Sequence, residues 1–187
     1  MLFQAQPNTC QRFAIRVQQI ANWSNSWKEL FDNMAKTFLS QTDGHPKDSS
    51  FREIYAAQGG IINGEAATFL PNDGMRPKYT GVSPNFPGNG QPGQIRHFVT
   101  ALIAASYPFG TELMMSREVN PGTRLPTLDM DPDAVADRAL NGLGSYIFQT
   151  VFKDVRVLGD QVMYFERDMK YIRAHLADEI RRDLCND

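Results

Sequence analysis

Arg96 and His97 stand side by side near the start of an apolar run, Gln94-Ile95-Arg96-His97-Phe98-Val99-Thr100-Ala101-Leu102-Ile103, directly after a Gly/Pro/Asn-rich tract covering about 71–93. A neutral imidazole offers one nitrogen that donates and one that accepts, so a histidine at the mouth of an apolar helix beside a long loop has the parts of a proton-transfer site. With helical spacing, His97 shares a face with Gly93, Ala101 and Ala104. By the same spacing Asp137 shares a face with Asn141, Gly144 and Phe148. If those two small-residue faces meet, the Asp137 carboxylate on one imidazole nitrogen fixes the tautomer and raises basicity at the other, as a general base requires. His97 and Asp137 are therefore the catalytic candidates. Arg96 joins them as the cation that would stabilise an oxyanion or hold an anionic substrate group, a part open to Arg138 as well. Arg138, Asn141 and the loop aromatics Tyr79 and Phe86 are the substrate-binding candidates. The plainer role for His97 is structural: an imidazole bonded to a carboxylate or carbonyl inside a helical bundle is a common way of satisfying buried polar atoms. On general grounds it is the commoner of the two.

Other chemistry finds less support. There is no Gly-x-Ser-x-Gly elbow, and neither cysteine lies in a catalytic signature. The histidines His45, His97 and His175 form no pair at the spacing that puts two metal ligands on one helical face. His175 with Asp178 and Glu179 makes at most a half-site on a solvated helix, and Asp43, Asp48 and the Asp129–Asp133 run do not follow calcium-loop spacing. We expect neither a metal nor a cofactor. Glu65, Glu112 and Glu118 would be the carboxylates of a glycan-cleaving pair, but sequence does not supply the separation such a pair needs, and exposed loop acids are the simpler reading.

The elements that would position these groups are mostly helical. Phe13, Val17, Ile20 and Ala21 recur at helical spacing, and Ser26 with Glu29 reads as a capping box opening a second helix carrying Leu30, Phe31, Met34, Phe38 and Leu39 inward. Ser50 to Glu53 offers another short helix, and Ile61 to Gly64 a tight turn that admits a small strand pair. A nearly all-apolar helix covers about 93–107 and reads as the central one. Asp131-Pro132 opens the next, with Ala136, Leu140, Leu143, Ile147 and Val151 on its inner face. From Asp160 to Leu184, Val162, Phe165, Met169, Ile172 and Leu176 alternate by three and four, which predicts one long amphipathic helix laid along another. The expected fold is a mostly α, single-domain helical bundle over 1–187, of about five to seven helices, with a long Gly/Pro-rich central loop and at most a small β-hairpin.

With 187 residues the chain can bury a full core without cross-links. Its 19 basic and 21 acidic residues are evenly mixed, giving a formal charge of −2, which argues against a nucleic-acid partner. The lack of a long apolar stretch argues against a membrane-spanning one, and the first residues show no signal-peptide pattern. Cys10 and Cys185 lie near opposite ends; reduced, partly buried thiols are the expectation, with a single disulfide as the alternative if the compartment is oxidising.

Two functions fit these residues. The first is a hydrolase-like or transferase-like enzyme whose 71–93 loop covers a cleft at His97, its ligand a small molecule, glycan or peptide. The second is a non-catalytic binding or effector module of a larger secreted or delivered protein, holding a partner through the central loop or the final amphipathic helix; a homodimer formed through Val162, Phe165, Met169 and Ile172 of that helix would favour it. The sequence leaves compartment open: a soluble chain, secreted or delivered if Cys10 and Cys185 pair.

Overall fold

The computed structural model describes residues 6–39, 65, 69, 73–81, 93–111, 132–158 and 160–186. Among these the chain forms five α-helices and one antiparallel hairpin, a mostly α fold. Phe86, His45, the Ser50–Glu53 capping box, the Ile61–Gly64 turn, Glu112, Glu118 and the Asp129–Asp131 stretch lie outside the described residues, as does most of the 71–93 tract.

Helix α1 (Thr9–Trp23) starts at Asn8, whose side chain accepts from the Gln11 amide while the Gln11 side chain returns to the Asn8 amide. This reciprocal cap satisfies two of the donors that every helix leaves open at its start. Helix α2 (Trp27–Met34) is capped by Ser26, which accepts from the Glu29 amide, and runs on into a π turn, Ala35–Leu39. The Glu29 carboxylate takes the Asn25 amide instead of that of Ser26, so the expected box closes one residue early. Helix α3 (Gly93–Ala104) buries Ile95, Phe98, Val99, Leu102 and Ile103 as its periodicity predicts. Helix α4 (Pro132–Ile147), extended by a π turn to Phe152, buries Ala136, Leu140, Leu143, Ile147 and Val151.

The segment expected to form one helix from Asp160 to Leu184 is divided. Strand β1 (Lys153–Leu158) pairs antiparallel with β2 (Gln161–Glu166), and only then does helix α5 (Met169–Leu184) begin, with Asp168 accepting from the Tyr171 amide. The physical reason lies in the residues. Val155 and Val157 are β-branched and alternate with polar neighbours, and the pairing continues to Leu158 opposite Gln161. The expected dimer stripe is correspondingly split. Val162 and Phe165 lie on β2, whereas Ile172 is fully buried within the chain's own core.

Helix α1 packs along α5, and α3 along α4. Phe13 is the hub of the core, its ring 5.1, 5.7 and 6.0 Å from those of Phe38, Phe69 and Phe98, each approached edge-on. Arg173 of α5 donates to the carbonyls of Ala21 (3.1 Å) and Ser24 (2.7 Å), placing a cation at the carbonyl end of α1.

The chain ends meet. Cys10 and Cys185 form a disulfide, correcting the expectation of reduced thiols. Spacing could not reveal it, because their approach depends on α1 and α5 lying side by side. Residues 73–76 are stitched between the two ends. The Cys10 amide donates to the Asp73 carbonyl (3.1 Å), the Arg76 amide to Leu184 (2.9 Å) and the Asn186 amide to Gly74 (2.7 Å). Gly74 has φ +92° and lies against the Asn8 side chain, where a Cβ would come within 2.2 Å, so the turn requires glycine.

Candidate functional site

His97 and Asp137 come together. α3 and α4 lie so close that a Cβ on Gly144 would fall 2.7 Å from backbone atoms of Ala101 and Leu102. That contact through small residues brings the two polar faces into reach. His97 Nδ1 stands 3.5 Å from Asp137 Oδ2, within ion-pair range but long for a hydrogen bond. Its Nε2 is 2.9 Å from Asn141 Oδ1. The His97 and Asp137 side chains are mostly buried, and Asn141 is fully so.

The chemistry of this trio follows from its donors and acceptors. A carboxylate only accepts, so Asp137 favours a proton on Nδ1. The Asn141 amide presents its oxygen to an Nε2–H or, turned over, its NH2 to a bare Nε2, so it serves the charged and the neutral ring alike. Both ring nitrogens therefore face groups of α4 across the helix contact. An acid/base would need one of them directed at substrate.

Asn141, read from sequence as a substrate group, is the buried partner of His97. Arg96, next to His97 and so turned about 100° round the helix, is half-buried, as is Arg138. The Thr100 hydroxyl donates to the Arg96 carbonyl at 3.0 Å. Tyr79 is buried in a short 3-10 turn, Pro77–Tyr79, that packs on α4, with the Lys78 ammonium 4.7 Å from its ring centre. It anchors the loop and offers no exposed ring to a ligand. His175 donates from Nδ1 to the Tyr171 carbonyl and stacks on the Tyr171 ring, while Asp178 pairs with Arg181 and Glu179 with Arg182.

Two features escaped the sequence reading. One is an open groove of about 360 Å³ lined by Arg12, Ile15, Arg16, Gln19, Glu65 and Phe69. Arg12, Arg16 and Gln19 recur at steps of four and three, so one face of α1 signalled it. Glu65, considered above as a catalytic carboxylate, is held there by a two-pronged contact from Arg16 at 2.8 and 2.6 Å.

The second feature is the hairpin. Alternation puts Val155, Val157, Val162 and Tyr164 on one face, with exposures of 50, 70, 54 and 64%. At the base of that face Lys153 pairs with Glu166 (3.8 Å), whose carboxylate also accepts from the Trp27 indole (3.0 Å). On the other face Asp154 accepts from Arg156 (2.7 Å), and the Arg156 guanidinium lies 5.0 Å from the centre of the Phe165 ring. The base is anchored to the bundle by Arg167, which donates to the Lys153 carbonyl (2.9 Å) and covers Tyr171. Beyond the base the strands stand out from the bundle. No described helix is long and apolar enough to cross a membrane. Compared with known proteins, the chain matches no family model, no curated protein and no solved structure.

Proposed function

We propose that this chain is a non-catalytic protein-binding module working in an oxidising compartment, with the hairpin β1–β2 as its binding element. One observation carries the reading: Val155, Val157, Val162 and Tyr164 form a continuous apolar face, each at least half exposed. A two-stranded hairpin alone is marginally stable in water, and an apolar patch on an otherwise well-packed domain marks an interaction surface. The outer edges of both strands are unpaired among the described residues, so a partner strand can add by main-chain hydrogen bonds while the valines and tyrosine supply apolar contact. The disulfide supports the compartment, since such bonds persist where thiols are not kept reduced.

The test compares wild type with the double substitution Val157→Asp/Tyr164→Asp, with fold retention checked by circular dichroism. The wild-type chain should hold a protein partner, itself included, that the variant releases. Equal behaviour of the two, or no hairpin-dependent partner at all, refutes the proposal.

A second reading keeps the enzyme, a hydrolase-like or transferase-like activity with His97 as acid/base, because Asp137 does reach His97. Against it stands Asn141 on the other nitrogen. Under the binding reading His97→Gln leaves partner capture intact; under the enzyme reading the same change abolishes turnover of a hydrolysable substrate without unfolding the chain.

A further inference from the structure

We infer that the occupant of the hairpin edge is a second copy of this chain, joined through β1 to β1 as an antiparallel pair centred on Val155, so that two hairpins form one four-stranded sheet. The inference rests on the hairpin being the binding element.

Three observations carry it. The first is the direction of the free main-chain groups. The Arg167 amide donates to the Phe152 carbonyl at 3.0 Å, which makes Phe152 and Arg167 a hydrogen-bonded pair. Antiparallel pairs alternate between bonded and non-bonded, so the register makes Lys153–Glu166, Val155–Tyr164 and Val157–Val162 the non-bonded pairs. The amides and carbonyls of Lys153, Val155 and Val157 therefore point outward along the β1 edge. With Val155 on a two-fold axis, Val155 faces the partner's Val155 and Lys153 faces the partner's Val157, outward group to outward group. The Lys153 carbonyl already accepts from Arg167, and its second lone pair is the one this pairing uses.

The second observation is charge. In this register Asp154 lies opposite the partner's Arg156, and Arg156 opposite the partner's Asp154, on one face of the sheet. Moving the axis one residue either way sets Asp154 against Asp154 or Arg156 against Arg156, and like charges directly opposite are unfavourable. The β1 edge thus specifies its own complement and rejects its neighbouring registers. The edge of β2 has no such code, since Glu166 is its one charged residue and it carries no cation to set against a second copy's carboxylate.

The third is the apolar face. Val155 and Val157 of both copies would lie side by side at the seam, flanked by Val162 and Tyr164, making one continuous surface from two marginal hairpins. A closed two-fold contact of this kind has each copy supply the same patch.

The experiment uses the full disulfide-bonded chain in sedimentation equilibrium. Wild type should move from monomer to dimer mass as concentration rises. D154R places two cations at these positions and R156D two anions, so each alone should weaken dimerisation by at least about tenfold. An equimolar mixture of the two variants should restore it as a heterodimer, which also shows that both are folded. In a separate readout, V155C should cross-link to itself on oxidation and V157C should not, because only residue 155 faces its own copy. A wild type that stays monomeric, variants that dimerise like wild type, or a mixture that fails to associate overturns the inference. If wild type is monomeric yet holds another protein that Val157→Asp/Tyr164→Asp releases, the second copy is the wrong occupant and the binding reading survives. If no hairpin-dependent partner exists, both fall.

Discussion

Replacing Gly144 by alanine tests whether the approach of α3 to α4 holds His97 in place. The added Cβ would meet backbone carbon and nitrogen of Ala101 and Leu102 at 2.7 Å, and ordinary contact begins at 3.4 Å, so the helices must separate by about 0.7 Å. Backbone cannot rotate away as a side chain tip can. Overpacking of this kind costs about 1–3 kcal/mol. Stretching the 2.9 Å contact between His97 and Asn141 adds about 1 kcal/mol, and the higher helix propensity of alanine offsets about 1 kcal/mol. The net expectation is a loss of about 1–3 kcal/mol. Gly142, two residues earlier in the same helix, has nothing within 4 Å of an added Cβ, so Gly142→Ala should instead stabilise the chain by up to about 1 kcal/mol. Urea unfolding of both variants gives the comparison, and imidazole NMR signals report whether His97 moves. If Gly144→Ala stabilises as much as Gly142→Ala, with His97 undisturbed, the close packing inferred between the helices is wrong.

Asn141→Ala should cost about 1–3 kcal/mol by leaving His97 Nε2 buried without its partner, and Asp137→Asn less than about 1 kcal/mol, because that contact is longer and partly exposed; the reverse order in urea titrations would make the carboxylate the principal partner. The Thr9 hydroxyl, then the Thr9 amide, hold the Asp73 carboxyl below the usual carboxylate range, with Arg12 adding its charge. A carboxylate lowered on folding stabilises the native state above its unfolded pKa, and that contribution disappears as pH falls through the folded value. Melting of Asp73→Asn should therefore fall below that of wild type at neutral pH and converge with it in acid, and a gap that persists or widens in acid would contradict the assignment. Removing the disulfide by the double change Cys10→Ala/Cys185→Ala should cost about 2–5 kcal/mol, read from denaturant midpoints; an unchanged midpoint would show that the clasp holds the ends without it.

What the sequence disclosed followed the reach of local periodicity. The inner faces of α1, α3 and α4 were legible because each helix buries one face, and small residues at Ala101 and Gly144 marked where two helices could approach. The juxtaposition of His97 with Asp137 followed from those faces. The place of Asn141 did not, since spacing puts three polar groups near one another without saying which atom each will take. The hairpin was lost for a different reason. Val162-Met163-Tyr164-Phe165 is an unbroken apolar run, compatible with either period, and it adjoins a true helix whose three-and-four spacing it happened to continue. The disulfide lay wholly beyond local signals, with its partners 175 residues apart.

That bridge also sets the path of mechanical load. Tension applied to chain outside Cys10 and Cys185 passes through two sulfur atoms whose Cα atoms are 5.6 Å apart, and the polypeptide between them carries none of it. Pulled by its two ends, the domain behaves as an inextensible link, its helices and hairpin shielded from force for as long as the bond is oxidised. Reduction would transfer the load to the short hydrogen-bonded stitch of residues 73–76, which would then be the first part to yield.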